Sequence, residues 1–221
     1  MSYTLLLIAL IVAILDWIAV AKKLKNLEYF AKPGVMIVLL VWLWSVSGFS
    51  GYIVWFALGL AFSLAGDVFL MLPREQFIAG LIAFLLAHIA YIIGFNDTLP
   101  PFTLISLVMA IVIGITAARV YRGIASGLVV SNNSNLQIPV LAYTIVISLM
   151  LLSALLTLTR PEWSLVSALL ASAGAVLFFL SDAFLAWNKF VTPVGNGNLI
   201  VIITYHLGQI LITVGAATHF L

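Results

Sequence analysis

The chain has 221 residues, 65% of them hydrophobic and only 7% charged, with no cysteine and a formal net charge of +2. A soluble domain carries about a quarter charged residues, so the composition excludes a soluble enzyme, a nucleic-acid-binding module and a disordered chain. What remains is an all-α, polytopic membrane helical bundle, read as a single transmembrane domain over residues 1–221, with no disulfides, thiolate metal sites or cysteine nucleophiles.

The first apolar run, residues 3–21, is read as a retained spanning helix and not a signal peptide. No positive residue precedes it, and Asp16 interrupts it. A crossing needs about 20 apolar residues. Charges, Pro, Gly and Asn divide the chain into eight such segments: about 3–21, 34–47, 52–72, 77–95, 102–118, 138–158, 163–186 and 199–219. The second is short and is expected to start lower, near Lys32. The odd connectors hold Lys22, Lys23, Lys25, Lys32, Arg74, Arg119, Arg122 and Lys189, whereas the even ones hold only Arg160. By the positive-inside rule the odd connectors are cytoplasmic and both termini face away from the cytoplasm. The small size and short connectors suit a bacterial inner membrane. The pattern Asn132–Ser134 matches a glycosylation acceptor but falls on a cytoplasmic connector, so no glycan is expected there.

An internal echo joins the third and seventh segments. Residues 59–70 read GLAFSLAGDVFL and residues 174–185 read GAVLFFLSDAFL, matching at Gly59/Gly174, Asp67/Asp182, Phe69/Phe184 and Leu70/Leu185. The offset is half the helix count, which suggests two parallel four-helix repeats.

Ionisable groups inside a membrane are costly and mark functional candidates. The basic residues all fall at segment ends or in connectors. Three acids remain inside spans, Asp16, Asp67 and Asp182, joined by His88 and His206. At 1.5 Å per residue each acid lies roughly 9 Å inside the cytoplasmic boundary. Without an intramembrane Lys or Arg, at least one is expected to hold a proton or to pair with a histidine. Two carboxyls in different environments supply a general acid and a base, and Asp67 and Asp182 are the candidate pair. Asp16 is read as structural, snorkelling or bonding a neighbouring helix. Asp67 shares a face with Gly59, Ser63, Gly66 and Leu70, where small residues allow close packing. His88 has Tyr91 at i+3, Tyr205 and Gln209 are i,i+4 neighbours around His206, and Tyr143 lies one turn into the sixth helix.

At these residues the sequence resembles the YhhN family of integral membrane proteins. The run GLAFSLAGDVFLMLPREQFIAGLIAFLLAHIAYIIGF (59–95) is similar to its core signature, and GAVLFFLSDAFLAWNKF (174–190) to its second. KPGVM (32–36), PVLAY (139–143) with Met150, and YHLGQ (205–209) fall where similar family elements stand, so the resemblance covers nearly the whole chain. One departure is SNNSNLQ before Pro139, which has no arginine where the family often has one. The resemblance implies eight spans and lysoplasmalogenase activity: hydrolysis of the vinyl ether bond of a lysoplasmalogen to a fatty aldehyde and a glycerophospho-alcohol. Such chemistry needs a proton donor, a negative group facing an oxocarbenium ion, and an oriented water, by analogy with glycoside hydrolysis.

The expected site is therefore Asp67, Asp182 and His88 for catalysis, with Lys32, Tyr91, Tyr143, Tyr205, His206 and Gln209 binding substrate and Lys32 on its phosphate. Which Asp is acid and which is base stays open. The partners expected are a lysophospholipid and the bilayer, with no nucleic acid, metal or cofactor. Two alternatives remain. One is a proton-coupled small-molecule or lipid transporter. The other is a metal-dependent lipid hydrolase using His88, His206, Asp67 and Asp182, although no H-E-x-x-H or i,i+4 His pair supports it.

Overall fold

Apolar runs of this length can satisfy their backbone polar groups in lipid only as helices, and helices are what form. The computed structural model describes residues 3–72, 76–100 and 102–221. Pro73, Arg74 and Glu75 of the third connector, and Pro101 at the end of the fourth, lie outside the described residues. Eight helices are long and apolar enough to cross a membrane: α1 (Tyr3–Ala21), α2 (Lys25–Ser47), α3 (Ile53–Met71), α4 (Phe77–Phe95), α5 (Leu104–Val130), α6 (Gln137–Leu156), α7 (Leu165–Phe190) and α8 (Gly197–Phe220). No strand occurs among the described residues.

Local chemistry sets several of the ends. Thr103 caps α5 by accepting from the Ser106 N–H, and the Ser106 hydroxyl accepts in return from the Thr103 N–H, a reciprocal box. Ser164 caps α7 in the same way, accepting from Ser167 N–H. Gly48 closes α2 in the left-handed conformation at φ +58°, returning its N–H to the Trp44 carbonyl.

Two boundaries differ from the sequence reading. Helix α5 runs on to Val130, so Arg119 and Arg122 lie on a helix, not in a connector. Their long stems let a charged head reach water from a helical position. Helix α2 begins at Lys25 and contains Pro33. Lys32 therefore sits two turns inside a helix, which matters for the site below.

Within a bilayer, helices associate through close packing and internal hydrogen bonds, since lipid is as apolar as leucine. The closest pairs are α7 with α8 and α3 with α4. On the first, a Cβ at Gly174 would lie 2.6 Å from the Ile212 nitrogen, and one at Gly215 would lie 2.7 Å from the Ala171 nitrogen. On the second, Gly59 accommodates the Tyr91 ring and Gly66 the Phe84 ring. Across the middle, α4 packs on α6 and α2 on α8. Each half thus contributes a tight third–fourth helix pair, and the fourth helix of each half meets the second helix of the other. This is the arrangement that two parallel repeats would produce. The ends of α3 and α7 both lie at the face that carries the lysine-rich first connector, called the basic face below.

Candidate active site

The two acids of the echo occupy equivalent places on α3 and α7 but have different neighbours. Asp67 is 1% exposed. Its Oδ2 accepts from the Tyr205 hydroxyl at 2.7 Å, and its Oδ1 lies 3.3 Å from Lys32 Nζ. The ammonium reaches in from α2 because Lys32 lies on the helix, not in the connector. This corrects two expectations: an intramembrane cation does compensate one of the acids, and Lys32 is engaged by Asp67 as well as facing the basic side.

Asp182 is placed otherwise. Its Oδ2 accepts from the Tyr143 hydroxyl of α6 and lies 3.2 Å from His88 Nε2 of α4. His88 Nε2 is also 2.9 Å from the Tyr143 oxygen. Since the Tyr143 proton points at the carboxylate, the partners assign a hydrogen to Nε2 of His88. Nδ1 is left as a buried atom without a partner among the described residues. The Asp182 side chain keeps 12% exposure.

A third cluster lies deeper. Tyr91 donates to Gln209 Oε1 at 2.6 Å, and Gln209 Nε2 donates to Ser63 Oγ at 2.8 Å. This ties α4, α8 and α3 together and satisfies three buried polar side chains. His206 stands apart from all three clusters. It accepts from Trp17 Nε1 at 3.2 Å through Nδ1, which leaves its hydrogen on the unpartnered Nε2. His88 and Tyr91 therefore share a helix face but serve separate partners, whereas Tyr205 and Gln209 both point at α3, as their spacing requires.

The sequence reading missed the bridge between the acid clusters. Phe178, one turn before Asp182, has its ring centroid 4.7 Å from His88 and 5.4 Å from Tyr205. An aromatic at i−4 from an acid on an apolar helix carries no signal of its own. Asp16 also departs from expectation. It neither snorkels nor bonds a neighbour: it is fully buried, and among the described residues neither oxygen has a hydrogen-bond partner.

Two cavities adjoin these groups. One is a narrow apolar slot of about 60 Å3 between α4, α5, α6 and α7, whose polar wall residues are Tyr143, Thr144 and Asp182. The other is a wide vestibule of about 1030 Å3 on the basic face, with Lys23, Lys25, Lys32 and Lys189 in its wall. Asp182 thus faces the slot, while Asp67 lies behind Lys32 and faces neither. Tyr91, Tyr205, His206 and Gln209 line neither cavity. The four groups considered as metal ligands are split, since His88 belongs with Asp182 while His206 meets Trp17. Among the described residues no group of three or more His, Asp or Glu side chains converges to hold a metal ion.

Fold and site together define a multi-pass helical membrane protein in which matched carboxyls on α3 and α7 differ, one buried and ion-paired and one opening on an apolar slot. Comparison with known proteins places it further. The YhhN family model matches residues 27–216, and the chain belongs to the YhhN family. It is 31% identical over 176 residues to the human protein named lysoplasmalogenase TMEM86B, covering 79% of this chain and 68% of that one. The pig protein of the same name is 32% identical over 180 residues, covering 81% and 70%. A protein named lysoplasmalogenase from Mycobacterium bovis is 35% identical over 171 residues, covering 73% and 59%. No solved structure matches the chain.

Proposed function

We propose that this chain is a lysoplasmalogenase, hydrolysing the vinyl ether of a lysophospholipid to a fatty aldehyde and a glycerophospho-alcohol. Its relatives carry that name over most of the chain. The observation that carries the mechanism is the hydrogen-bonded set Asp182–Tyr143–His88, which opens on an apolar slot beside a lysine-lined vestibule.

The reaction begins when a proton is delivered to the β-carbon of the vinyl ether, leaving an oxocarbenium ion at the α-carbon. Water adds to that carbon and releases a proton, and the resulting hemiacetal collapses to aldehyde and alcohol. Asp182 is the group with access to substrate, and the Tyr143 hydroxyl and the His88 imidazole can pass protons to and from it. It therefore serves as the acid, and then as the base that takes the proton of the attacking water. Asp67 is compensated by the Lys32 ammonium, bonded by Tyr205 and opens on neither cavity, so its part is to hold the Lys32 ammonium in the vestibule wall. Vestibule lysines attract the phosphate, and Tyr91 and Gln209 hold α4, α8 and α3 in register. The basic face is cytoplasmic in this reading, both termini lie opposite, and the membrane is a bacterial inner membrane.

The test is aldehyde release from a lysoplasmenylethanolamine by the purified chain in nanodiscs. Wild type should release it, and Asp182→Asn should lose about two to four orders of magnitude in kcat, the range of a general acid–base contribution. Full hydrolysis by correctly inserted Asp182→Asn and Asp67→Asn variants would refute the mechanism. Absence of aldehyde from wild type would refute the activity.

A further inference from the structure

The two copies of the internal echo both end on leucine. Leu70 lies three residues after Asp67, and Leu185 lies three residues after Asp182. Three residues make about one helical turn, so each leucine stands on its acid's side of the helix, one turn nearer the basic face. Both are half-buried. Of the described residues that line either cavity, these two alone line both. They stand where the apolar slot meets the lysine-lined vestibule. Leu70 is seated by a glycine on the neighbouring helix: a Cβ at Gly80 would come within 2.7 Å of Leu70 Cδ2.

A lipid that uses both cavities must cross this boundary. Its phosphate belongs with Lys23, Lys25, Lys32 and Lys189, and its hydrocarbon belongs in the slot, whose walls are apolar apart from Tyr143, Thr144 and Asp182. The linkage between glycerol and chain lies between those two parts, which brings it past the leucines to Asp182. Apolar side chains at that point offer glycerol oxygens no competing hydrogen bond. The slot beyond them holds only about 60 Å3, which leaves no room for a second chain beside the first.

We propose that Leu70 and Leu185 form a sill between the headgroup vestibule and the chain slot, and that they are the specificity-determining residues which admit a lipid with one chain and turn away one with two. The inference rests on the lysoplasmalogenase reading for the identity of the substrate, and on the two cavities for the sill itself.

The experiment compares a one-chain lysoplasmenylcholine with a two-chain plasmenylcholine as substrates of the full chain in nanodiscs. A non-hydrolysable one-chain alkyl ether lysolipid is used in parallel as a thermal-shift ligand. Leu70→Ala and Leu185→Ala should each raise the two-chain to one-chain ratio of kcat/KM at least ten-fold. Leu70→Trp and Leu185→Trp should raise KM for the one-chain substrate at least ten-fold with a smaller change in kcat, and should abolish the thermal shift. Gly80→Ala, which displaces Leu70 without altering it, should move KM in the same direction as Leu70→Trp. If the alanine variants do not fold, Leu→Met at the same positions with Gly80→Ala provides the comparison. Ratios and KM within two-fold of wild type across folded variants would overturn the sill. Were wild type to cleave neither lipid, the activity would fall, but loss of the ether-lipid shift in the tryptophan variants would still support the sill. No shift in wild type would overturn it.

Discussion

At the scale of single residues, the two acids differ in what balances them. Asp67 has a lysine ammonium beside it, and Asp182 has a tyrosine hydroxyl and a histidine ring. Removing one member of a buried ion pair leaves the other uncompensated and costs about 3–5 kcal/mol. Lys32→Met should therefore lower thermal stability markedly and depress kcat, whereas Lys32→Arg, which keeps the charge, should recover much of both. Melting temperature and aldehyde release on the same preparations would check this. Asp16 gives the opposite expectation. A fully buried carboxyl with no partner for either oxygen is a cost to the fold. Asp16→Leu should therefore stabilise the protein, by about 1–3 kcal/mol if the orphan penalty is relieved. Denaturation of the variant in the same detergent measures the sign. Asp16 also lies before residue 27, where the match to the family model begins. Its helix α1 therefore lies outside the matched region.

At the scale of elements, the acids are aimed by the α3–α4 and α7–α8 pairs, whose contact depends on missing side chains. Gly174 and Gly215 lie against the backbone of the opposing helix, so neither has a flexible neighbour that could move aside. Gly174→Val should separate α7 from α8, with an overpacking cost of about 1–3 kcal/mol or more, and should move Asp182 relative to His88. Activity should fall further than stability alone would explain, and single-turnover rates on folded protein would separate the two effects. The face opposite the site is held by another buried cation. Arg160 is 3% exposed, donating to the Phe95 carbonyl at 2.7 Å and to Asn96 Oδ1 at 2.9 Å. It joins the end of α4 to the α6–α7 connection. Beside it, exposed Glu162 accepts from Thr98, and its own backbone N–H together with that hydroxyl holds its carboxyl below the ordinary range. A depressed folded value means that the contribution is present at neutral pH and is lost as pH falls through that value. The acid limb of the melting profile should accordingly be slightly flatter in Glu162→Gln than in wild type.

At the scale of the whole molecule, much of this was legible from scarcity. With 16 charges in 221 residues, any acid inside an apolar run stands out, and Asp67 and Asp182 stood out for that reason. The eight spans followed from apolar length alone. Less legible was whatever depends on reach. Lys32 sits among four lysines before a proline, a pattern that reads as a connector, although it lies on α2 and its ammonium reaches Asp67. Arg119 and Arg122 ended the fifth segment too early for a related reason, since a charged head does not mark where its helix stops. Leu70 and Leu185 were visible as a matched pair, but that they line both cavities depends on residues from all eight helices. Reporter fusions check the orientation directly: a fluorescent protein that lights up only in the cytoplasm should stay dark when fused after Leu221 and be bright when inserted beside Lys23.

The echo between α3 and α7 bears on why one chain holds both halves. Two identical half-chains related by a two-fold axis would give both acids the same neighbours, and the two carboxyls could then differ only in which of them held a shared proton. Once the halves are fused, each position can mutate independently of its counterpart. A lysine can then settle beside one acid while a histidine and a tyrosine settle beside the other. Asymmetry at the acids, on a scaffold whose halves pair their helices alike, is what lets the two carboxyls take different tasks.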